Sequence, residues 1–458
     1  PRPEARQPVG KVTSLVYCDR TDIGRRRSNN QDAKAVLPAT PQQHRTRGWL
    51  FMVADGMGAH AAGELASAMA AERVPRIYEQ RCEFSPPLAL RRSLEQVNAE
   101  INAKGESGFE FKGMGTTCTT LVLLPRGAII GHIGDSRCYR IRRHTIEQLS
   151  RDHSLVWELE TAGGMSREQA ADAAPKNIIT RSMGPHPHVD VDLEGPFAVT
   201  AGDVFLLCSD GLSGQVTDDE IGLLASELEP QDAVAALIGL ALVRGAPDNV
   251  TVVVARAGEE EATRTSRNED AWPLSEEAAS TQRQKKQSWI SLAIGAVCLL
   301  AALIFNPKSK LVEGLCESSE AVKAVCLFGC LGLLLAAIVA FLFAFTGLLA
   351  RPSRGRMLGA GDFLGKGPYR RYACGPTVPL LEGIAASIDT ATAHLPAADR
   401  TRASGLVARA RQQAAEGAFR NAVTTVAEAI AIHTRAVESA RSDETIRGPA
   451  GTAPRPHT

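Results

Sequence analysis

Leu50-Phe-Met-Val-Ala-Asp-Gly-Met-Gly-Ala-His60 is the stretch on which the reading of this chain turns. Leu50 to Ala54 is an apolar run of strand length and composition. It stops at Asp55-Gly56, and after Gly58 and Gly63 a helical pattern begins at Glu64. A carboxylate delivered at the end of a buried strand suits a metal ligand, and the neighbouring glycine lets a backbone carbonyl come close enough to bind too. Taken alone, Ala-Asp-Gly reads more readily as a strand followed by a tight turn. Here the design recurs. Val204-Phe-Leu-Leu-Cys-Ser-Asp210-Gly211 repeats it, and Ile129-Ile-Gly-His-Ile-Gly-Asp135 is a third strand ending in an acid. Asp248-Asn249 stands at the start of a fourth, Val250–Ala255, and Asn30-Gln31-Asp32 adds a fifth acid near the beginning. Acids placed at strand ends five times within one domain are not a random scatter. Hard Mg²⁺ or Mn²⁺ ions prefer oxygen ligands of this kind, and the sequence has no His/Cys cluster of the zinc type.

The whole chain sets the bounds. Its 458 residues are enough for two or three domains. Lys+Arg and Asp+Glu both count 51, so no global charge points to nucleic acid. The ten cysteines show no CxxC pair of metal spacing and no disulfide-style framework, and most lie in apolar runs, which fits a reduced, cytoplasmic compartment for the main domain. Pro1 to Gly10 is polar and does not read as a signal peptide, and the missing initiator Met leaves room for a trimmed start.

Seven pieces occur in a fixed order between roughly residues 12 and 257: Arg27-Ser-Asn-Asn-Gln-Asp32, Val53-Ala-Asp-Gly-Met-Gly-Ala-His60, Gly115-Thr-Thr117, Gly134-Asp-Ser-Arg137, Asp152-His-Ser-Leu155, Cys208-Ser-Asp-Gly-Leu212 and Asp248-Asn-Val-Thr251. Together they resemble the bacterial metal-dependent protein Ser/Thr phosphatases of the 2C type. Two departures are visible: Ala59 replaces a Gly common in that family, and Gln31 stands where many members carry Glu. Neither removes an Asp. The resemblance implies an α+β fold, a four-layer α-β-β-α sandwich. It implies hydrolysis of phosphoserine and phosphothreonine by a metal-activated water at a site of two or three Mn²⁺ or Mg²⁺ ions. In that scheme Asp55 bridges two ions and the Gly56 carbonyl binds one of them. Asp210 and Asp248 hold the other, and Asp32 supports the site through water. Asp135, helped by Asp210, holds a third, weaker ion. Arg27 lies five residues before Asp32, where family members place a phosphate-binding arginine, whereas Arg25 and Arg26 read as a solvated basic turn. Asp135 and Asp32 also admit blander readings, as a turn residue and as a support behind the ligands. No covalent nucleophile is implied. Cys208 sits in an apolar strand without the Cys-x5-Arg loop of cysteine phosphatases and reads as core. His60 and His153 are left open between structural roles and proton donation to the leaving group.

Read in order, the chain predicts a disordered lead at 1–11 and a catalytic domain at 12–257, with helices at 64–79 and 87–103. A helix begins near Asp152, and the segment from Ala162 corresponds in the family to a mobile flap beside the active site. Strands and helices come in blocks rather than in regular βαβ alternation, which suits two sheets packed face to face. A polar linker follows at 258–287.

Trp289–Phe305 and Ala324–Ala350 are apolar runs with no ionisable group other than Cys. At 1.5 Å per residue they reach about 25 and about 40 Å, each enough for a bilayer. Arg283, Lys285 and Lys286 precede the first, and Arg351, Arg354 and Arg356 follow the second. Positive-inside reasoning places both flanks in the cytoplasm and the 306–323 loop outside, in a two-pass protein of the cell inner membrane. A buried helical hairpin is the soluble alternative. Residues 351–377 read as a basic, Gly-rich juxtamembrane loop facing anionic lipid; their Gly359–Gly367 run lacks the first Gly and the Ser/Thr of a phosphate loop. Residues 378–440 read as a separate helical domain of three helices divided at Pro396 and Gly417, able to bind a protein partner, and 441–458 as tail. The function expected is a membrane-anchored phosphatase acting on phosphorylated proteins and opposing a Ser/Thr kinase. The alternative is a catalytically silent phosphatase-like receptor or scaffold. The motif set ends at Asp248 and its strand, so residues 12–258 alone are expected to make a soluble, active enzyme.

Overall fold

A computed structural model describes residues 15–447 except 59–61, 176–177, 265–270, 307–319, 349–355, 360–361, 366 and 368. The expected lead at 1–11, His60, Arg351, Arg354 and most of the 306–323 loop lie outside the described residues. The chain divides into two units. One joins residues 1–82, 89–268 and 361–458, and the other joins 83–88 and 269–360.

The first unit is built on two antiparallel sheets. One runs, in spatial order, Val16–Asp22, Val250–Arg256, Val204–Cys208, Arg137–Arg142, Thr145–Gln148 and Arg370–Ala373. The other runs Asp32–Leu37, Trp49–Met57, Cys118–Leu124, Gly127–Ile133 and Asp192–Phe197, with the short Gly115–Thr116 strand beside Trp49–Met57. Period-two alternation sends successive side chains to opposite faces. Phe205, Leu207, Val253 and Ala255 therefore meet Phe51, Val53, Leu121 and Ile130 in the core between the sheets. Their neighbours Leu206, Cys208, Val252 and Val254 face a second core beneath the Asp218–Glu227 and Pro230–Val243 helices. The Ala62–Gln80 and Pro86–Gly105 helices cover the outer face of the other sheet, where Leu90 and Leu94 lie close against Gly131. The architecture is the expected α-β-β-α sandwich, with the central strands of each sheet buried on both faces and the edge strands partly exposed.

The C-terminal helices differ from the sequence reading. Val378–Thr392, Ala397–Ala415 and Phe419–Arg447 break at Pro396 and Gly417, but they do not form a separate body. Leu381, Ile384, Ile388, Val423, Val426 and Ile430 belong to the same buried cluster as Leu237, Leu240 and Val252. The contact is close: a Cβ on Gly239 would come within 2.4 Å of Ile430. The apolar stripes that suggested an independent bundle are instead spent on the catalytic unit, so a 12–258 fragment lacks part of its core. The last helix also runs to Arg447, past the boundary drawn at 440, and Arg441 on it is anchored on Asp22.

The segment at 351–377 departs in the same direction. Arg370–Ala373 pairs with Thr145–Gln148 as an edge strand, so Arg370 and Arg371 meet Glu160 and Glu147 instead of a lipid surface.

The second unit holds a helical pair, Glu276–Ile304 and Glu320–Leu348, and a two-residue pairing of Trp272–Pro273 with Met357–Leu358. The second half of the expected 258–287 linker is thus helical. Ser275 accepts from the Ala278 N–H, and Glu276 and Glu277 favour the positive helix N-terminus. The helices touch through small residues: Gly295 faces Ala337, Ala340 and Phe341, and Cys330 Sγ donates to the Ala302 carbonyl. Their outward faces carry exposed Trp289, Val297, Leu300, Val325 and Phe328.

Candidate active site

Asp32 and Asp55 are opposite each other in the register of the Asp32–Leu37 and Trp49–Met57 strands. Thr117 fixes the end of the second strand. Its Oγ1 accepts from the Asp55 N–H at 2.8 Å, and its own N–H donates to the Asp55 carbonyl at 2.8 Å. The same hydroxyl is 2.8 Å from Ser136 Oγ, so one threonine ties Asp55 to the turn that carries Asp135. Gly56 must be glycine, since a Cβ there would lie 2.2 Å from the Gly63 carbonyl oxygen. Its N–H donates to the Gln31 carbonyl at 3.0 Å. Gln31 thus reaches the site through its backbone carbonyl, which also accepts from Ser67 Oγ.

Asp32 is buried. Its Oδ2 accepts from Ser209 Oγ and Thr251 Oγ1, both at 2.7 Å. These hydroxyls flank Asp210 and Asp248 in sequence, so Asp32 links the two loops that carry them. Asp32 Oδ1, Asp135 Oδ1 and Asp210 Oδ1 are buried acceptors with no hydrogen-bond partner. Each such orphan costs about 1–3 kcal/mol unless something positive meets it. The electrostatics agree. Burial pushes the Asp32 and Asp135 carboxyls up to about 7, the charge of Asp210 adding to each. Asp55 is raised well above the carboxylate range by burial and then by Asp32, Asp210, Asp135 and Asp248. Asp210 is raised by burial and by Asp248. The five acids therefore share one negative field that must be met by protons or cations. Among the described residues, no three His, Cys, Asp or Glu side chains form a ready-made metal cage. The donor set suits ions that keep much of their water, taking one or two carboxylates and a carbonyl such as that of Gly56, which is the habit of Mg²⁺ and similar hard ions.

Arg27 stands at the rim. Its Nη2 donates to Asp248 Oδ2 at 2.6 Å, with half of the side chain exposed. The turn that carries it is fixed by Asn249, whose Nδ2 donates to the Ile23 and Asn29 carbonyls and whose Oδ1 accepts from the Gln31 N–H. Gly24, at φ +76°, presses so close that a Cβ would lie 2.0 Å from the Asp248 carbonyl oxygen.

On the far side, His153 is structural. Its Nδ1 accepts from the Gly134 N–H at 2.9 Å and its Nε2 lies 3.1 Å from Asp192 Oδ2, bracing the turn before Asp135. Arg137 holds Asp152 within the same brace, its Nε donating to both carboxylate oxygens and its Nη2 to Oδ2. Cys208 is fully buried in the core, and burial raises its thiol, as expected of an inert residue.

All five acids and Gly56 thus fall within one site, with Arg27 at its edge. The supports Thr117, Ser209, Asn249 and Thr251 lie inside motifs visible in the sequence, which does not by itself show their role. The available signal was a hydroxyl or amide adjoining an acid in an otherwise apolar strand, a place where an unpartnered polar group is costly.

Comparison with known proteins bears on the same residues. The family described as Protein phosphatase 2C matches residues 24–237. The serine/threonine phosphatase stp of Listeria welshimeri serovar 6b is 35% identical over 241 residues, covering 51% of this chain and 93% of the relative. Protein phosphatase PhpP of Streptococcus pneumoniae serotype 2 is 36% identical over 252 residues, covering 53% of this chain and 97% of the relative. A solved structure of the catalytic domain of the phosphatase PstP in complex with two manganese ions matches at 34% identity, 54% of this chain, 99% of that chain and a TM-score of 0.46. On the matched family, the near-complete coverage of its relatives and the assembled acids, this chain belongs to the protein phosphatase 2C family of metal-dependent serine/threonine protein phosphatases.

Proposed function

We propose that the enzyme is a membrane-anchored protein phosphatase that removes phosphate from phosphoserine and phosphothreonine and opposes a Ser/Thr kinase. Asp55, Asp210, Asp248 and the Gly56 carbonyl would hold two Mn²⁺ or Mg²⁺ ions, Asp32 would support them, and Asp135 with Asp210 would take a third. The observation that carries this assignment is the set of orphaned, buried carboxylate oxygens on Asp32, Asp135 and Asp210 around the strained charge of Asp55. Bound divalent ions supply counter-charge for the phosphoryl oxygens and bring the pKa of water down towards about 7. The chain's own part is to place the carboxylates and to hold the phosphate. Arg27 lies at the mouth with a planar fork suited to two phosphoryl oxygens, and Asp248 keeps it pointed inward in their absence.

Two observations support the anchor. The helices at Glu276–Ile304 and Ala324–Phe345 are long and apolar enough to cross a bilayer, and their large apolar side chains face outward. The segments before and after them belong to one compact unit, which requires an even number of crossings. With basic flanks inside, the two-pass arrangement puts the catalytic site and the C-terminal helices in the cytoplasm.

The deciding test is turnover of a phosphothreonine peptide by the full chain, with Mn²⁺ binding followed by calorimetry. Activity should require added Mn²⁺ or Mg²⁺ and vanish with chelator, and Asp55→Asn should lose both turnover and binding heat. Full activity in EDTA after dialysis would overturn the ion assignment.

A further inference from the structure

We propose that Arg441, on the last helix, is a positioning residue for the phosphate-binding turn, so that the C-terminal helices complete the active site rather than merely adjoin it. The inference rests on the reading of Arg27 as the phosphate ligand. The Arg441 guanidinium forks onto Asp22, Nη2 to Oδ1 at 3.0 Å and Nη1 to Oδ2 at 3.2 Å, and it also donates to the Gly24 carbonyl. Asp22 is nearly buried, and its Oδ1 accepts from the Gly24 N–H at 2.9 Å. Arg441 therefore grips the Asp22 side chain and the backbone of Gly24, where the turn that leads into Arg27 begins.

The same turn is held from its other side by the metal-site loop. Asn249 donates to the Ile23 carbonyl, the Arg25 N–H donates to the Ala246 carbonyl at 2.8 Å, and Gly24 lies against the Asp248 carbonyl. Residues 22–25 are thus clamped between the loop bearing Asp248 and the C-terminal helix. Removing one jaw frees the segment that aims Arg27. The helix is itself firmly placed, since Val423, Val426 and Ile430 are buried in the shared core and Glu438, one turn before Arg441, pairs with Arg20 at 2.7 Å. The contact is chemically specific: a forked guanidinium on a buried carboxylate.

A contact that aims a substrate-binding group acts on binding before it acts on chemistry. In the full-length enzyme, Arg441→Ala should raise KM for a phosphothreonine peptide by about three- to tenfold with kcat within about twofold, as expected for partial loss of one charge-assisted contact. Arg441→Lys should recover part of this, and Asp22→Asn should reproduce it. In an Arg27→Ala background, Arg441→Ala should add nothing further, because it acts through Arg27. A normal KM in Arg441→Ala and Asp22→Asn, with or without a fall in Tm, would mark a structural staple and overturn the proposal. Full additivity with Arg27→Ala would overturn it as well. An unchanged KM in Arg27→Ala alone would instead overturn the Arg27 assignment.

Discussion

Asp32 shows how a single residue couples charge to stability. Its carboxyl, ordinarily near 3.8, is pushed up to about 7 by burial, with hydrogen bonds from Thr251 and Ser209 pulling the other way. Asp135 is raised to about 7 as well, again chiefly by burial. Without ions, the folded state binds more protons than the unfolded chain between these two values. Stability is then fully present below about 4 and is lost as pH rises through about 7. The Tm of the chelated protein should fall between pH 5 and pH 8. Added Mn²⁺ should raise Tm more at pH 8 than at pH 5, since ions and protons compete for the same oxygens. A chelated protein equally stable or more stable at pH 8 would show that these carboxyls are not buried together. The acids themselves are legible in the sequence because the pattern recurs five times within one domain, whereas any one of them alone reads as a turn. Ser209, Thr251 and Thr117 are not, because hydroxyls are common in strands and nothing local tells a satisfied core hydroxyl from one aimed at a ligand.

Among the elements, the edge strand Arg370–Ala373 was the least legible. Four residues carry too little pattern to distinguish a strand from a basic loop, and its pairing partner lies more than two hundred positions away. Its side chains show what it does. Arg370 stacks over the Trp157 ring at 3.4 Å and pairs with Glu160, both on the Leu155–Gly163 helix that leads into the 162–175 segment. Tyr369 bonds Glu194, and Phe363 packs edge-on against Phe197 with centroids 5.1 Å apart. That helix begins at Ser154, next to His153, whose ring holds the turn before Asp135. The 363–373 segment therefore braces the 155–163 helix against the sheet. Such a cation–π contact is worth about 0.5–2 kcal/mol. Arg370→Glu, which adds repulsion from Glu160, should speed amide exchange across residues 155–173 well beyond the change elsewhere in the sandwich. Unchanged exchange there, or a uniform rise over the whole domain, would refute a local brace.

For the molecule as a whole, the sequence overstated independence. Helical periodicity at 378–440 was read correctly as helices, but an amphipathic stripe does not say what covers it, and here the cover is the Pro230–Val243 helix. A fragment of residues 12–258 would leave Leu237, Leu240 and their neighbours facing water in place of Val423, Val426 and Ile430. That fragment should melt well below the full chain and aggregate on warming. Adding residues 362–447 as a separate chain should restore part of the difference. A fragment as stable as the parent would mean that the shared core contributes little.

The proposed membrane anchor is constrained by the same shared core and has its own test. Since residues 15–264 and 362–447 fold together, the two apolar helices between them, if they cross a bilayer as proposed, must return the chain to the side it left. Which side is decided by the basic flanks, Arg283, Lys285 and Lys286 before the pair and Arg356 after it. A thiol reagent unable to cross membranes reads this out directly, with Cys316 in the connecting loop as the outside reporter. Cys374 cannot serve as the inside reporter, because it is fully buried against Gly222 and would resist labelling on either side. Cys82, exposed at the end of the Ala62–Gln80 helix region, can. In intact cells Cys316 should label and Cys82 should not, and permeabilisation should open Cys82. Labelling of Cys82 before permeabilisation, with Cys316 protected, would turn the enzyme around and place its active site away from cytoplasmic phosphoproteins. Labelling of both in intact cells, with the protein released by alkaline carbonate, would remove the membrane anchor.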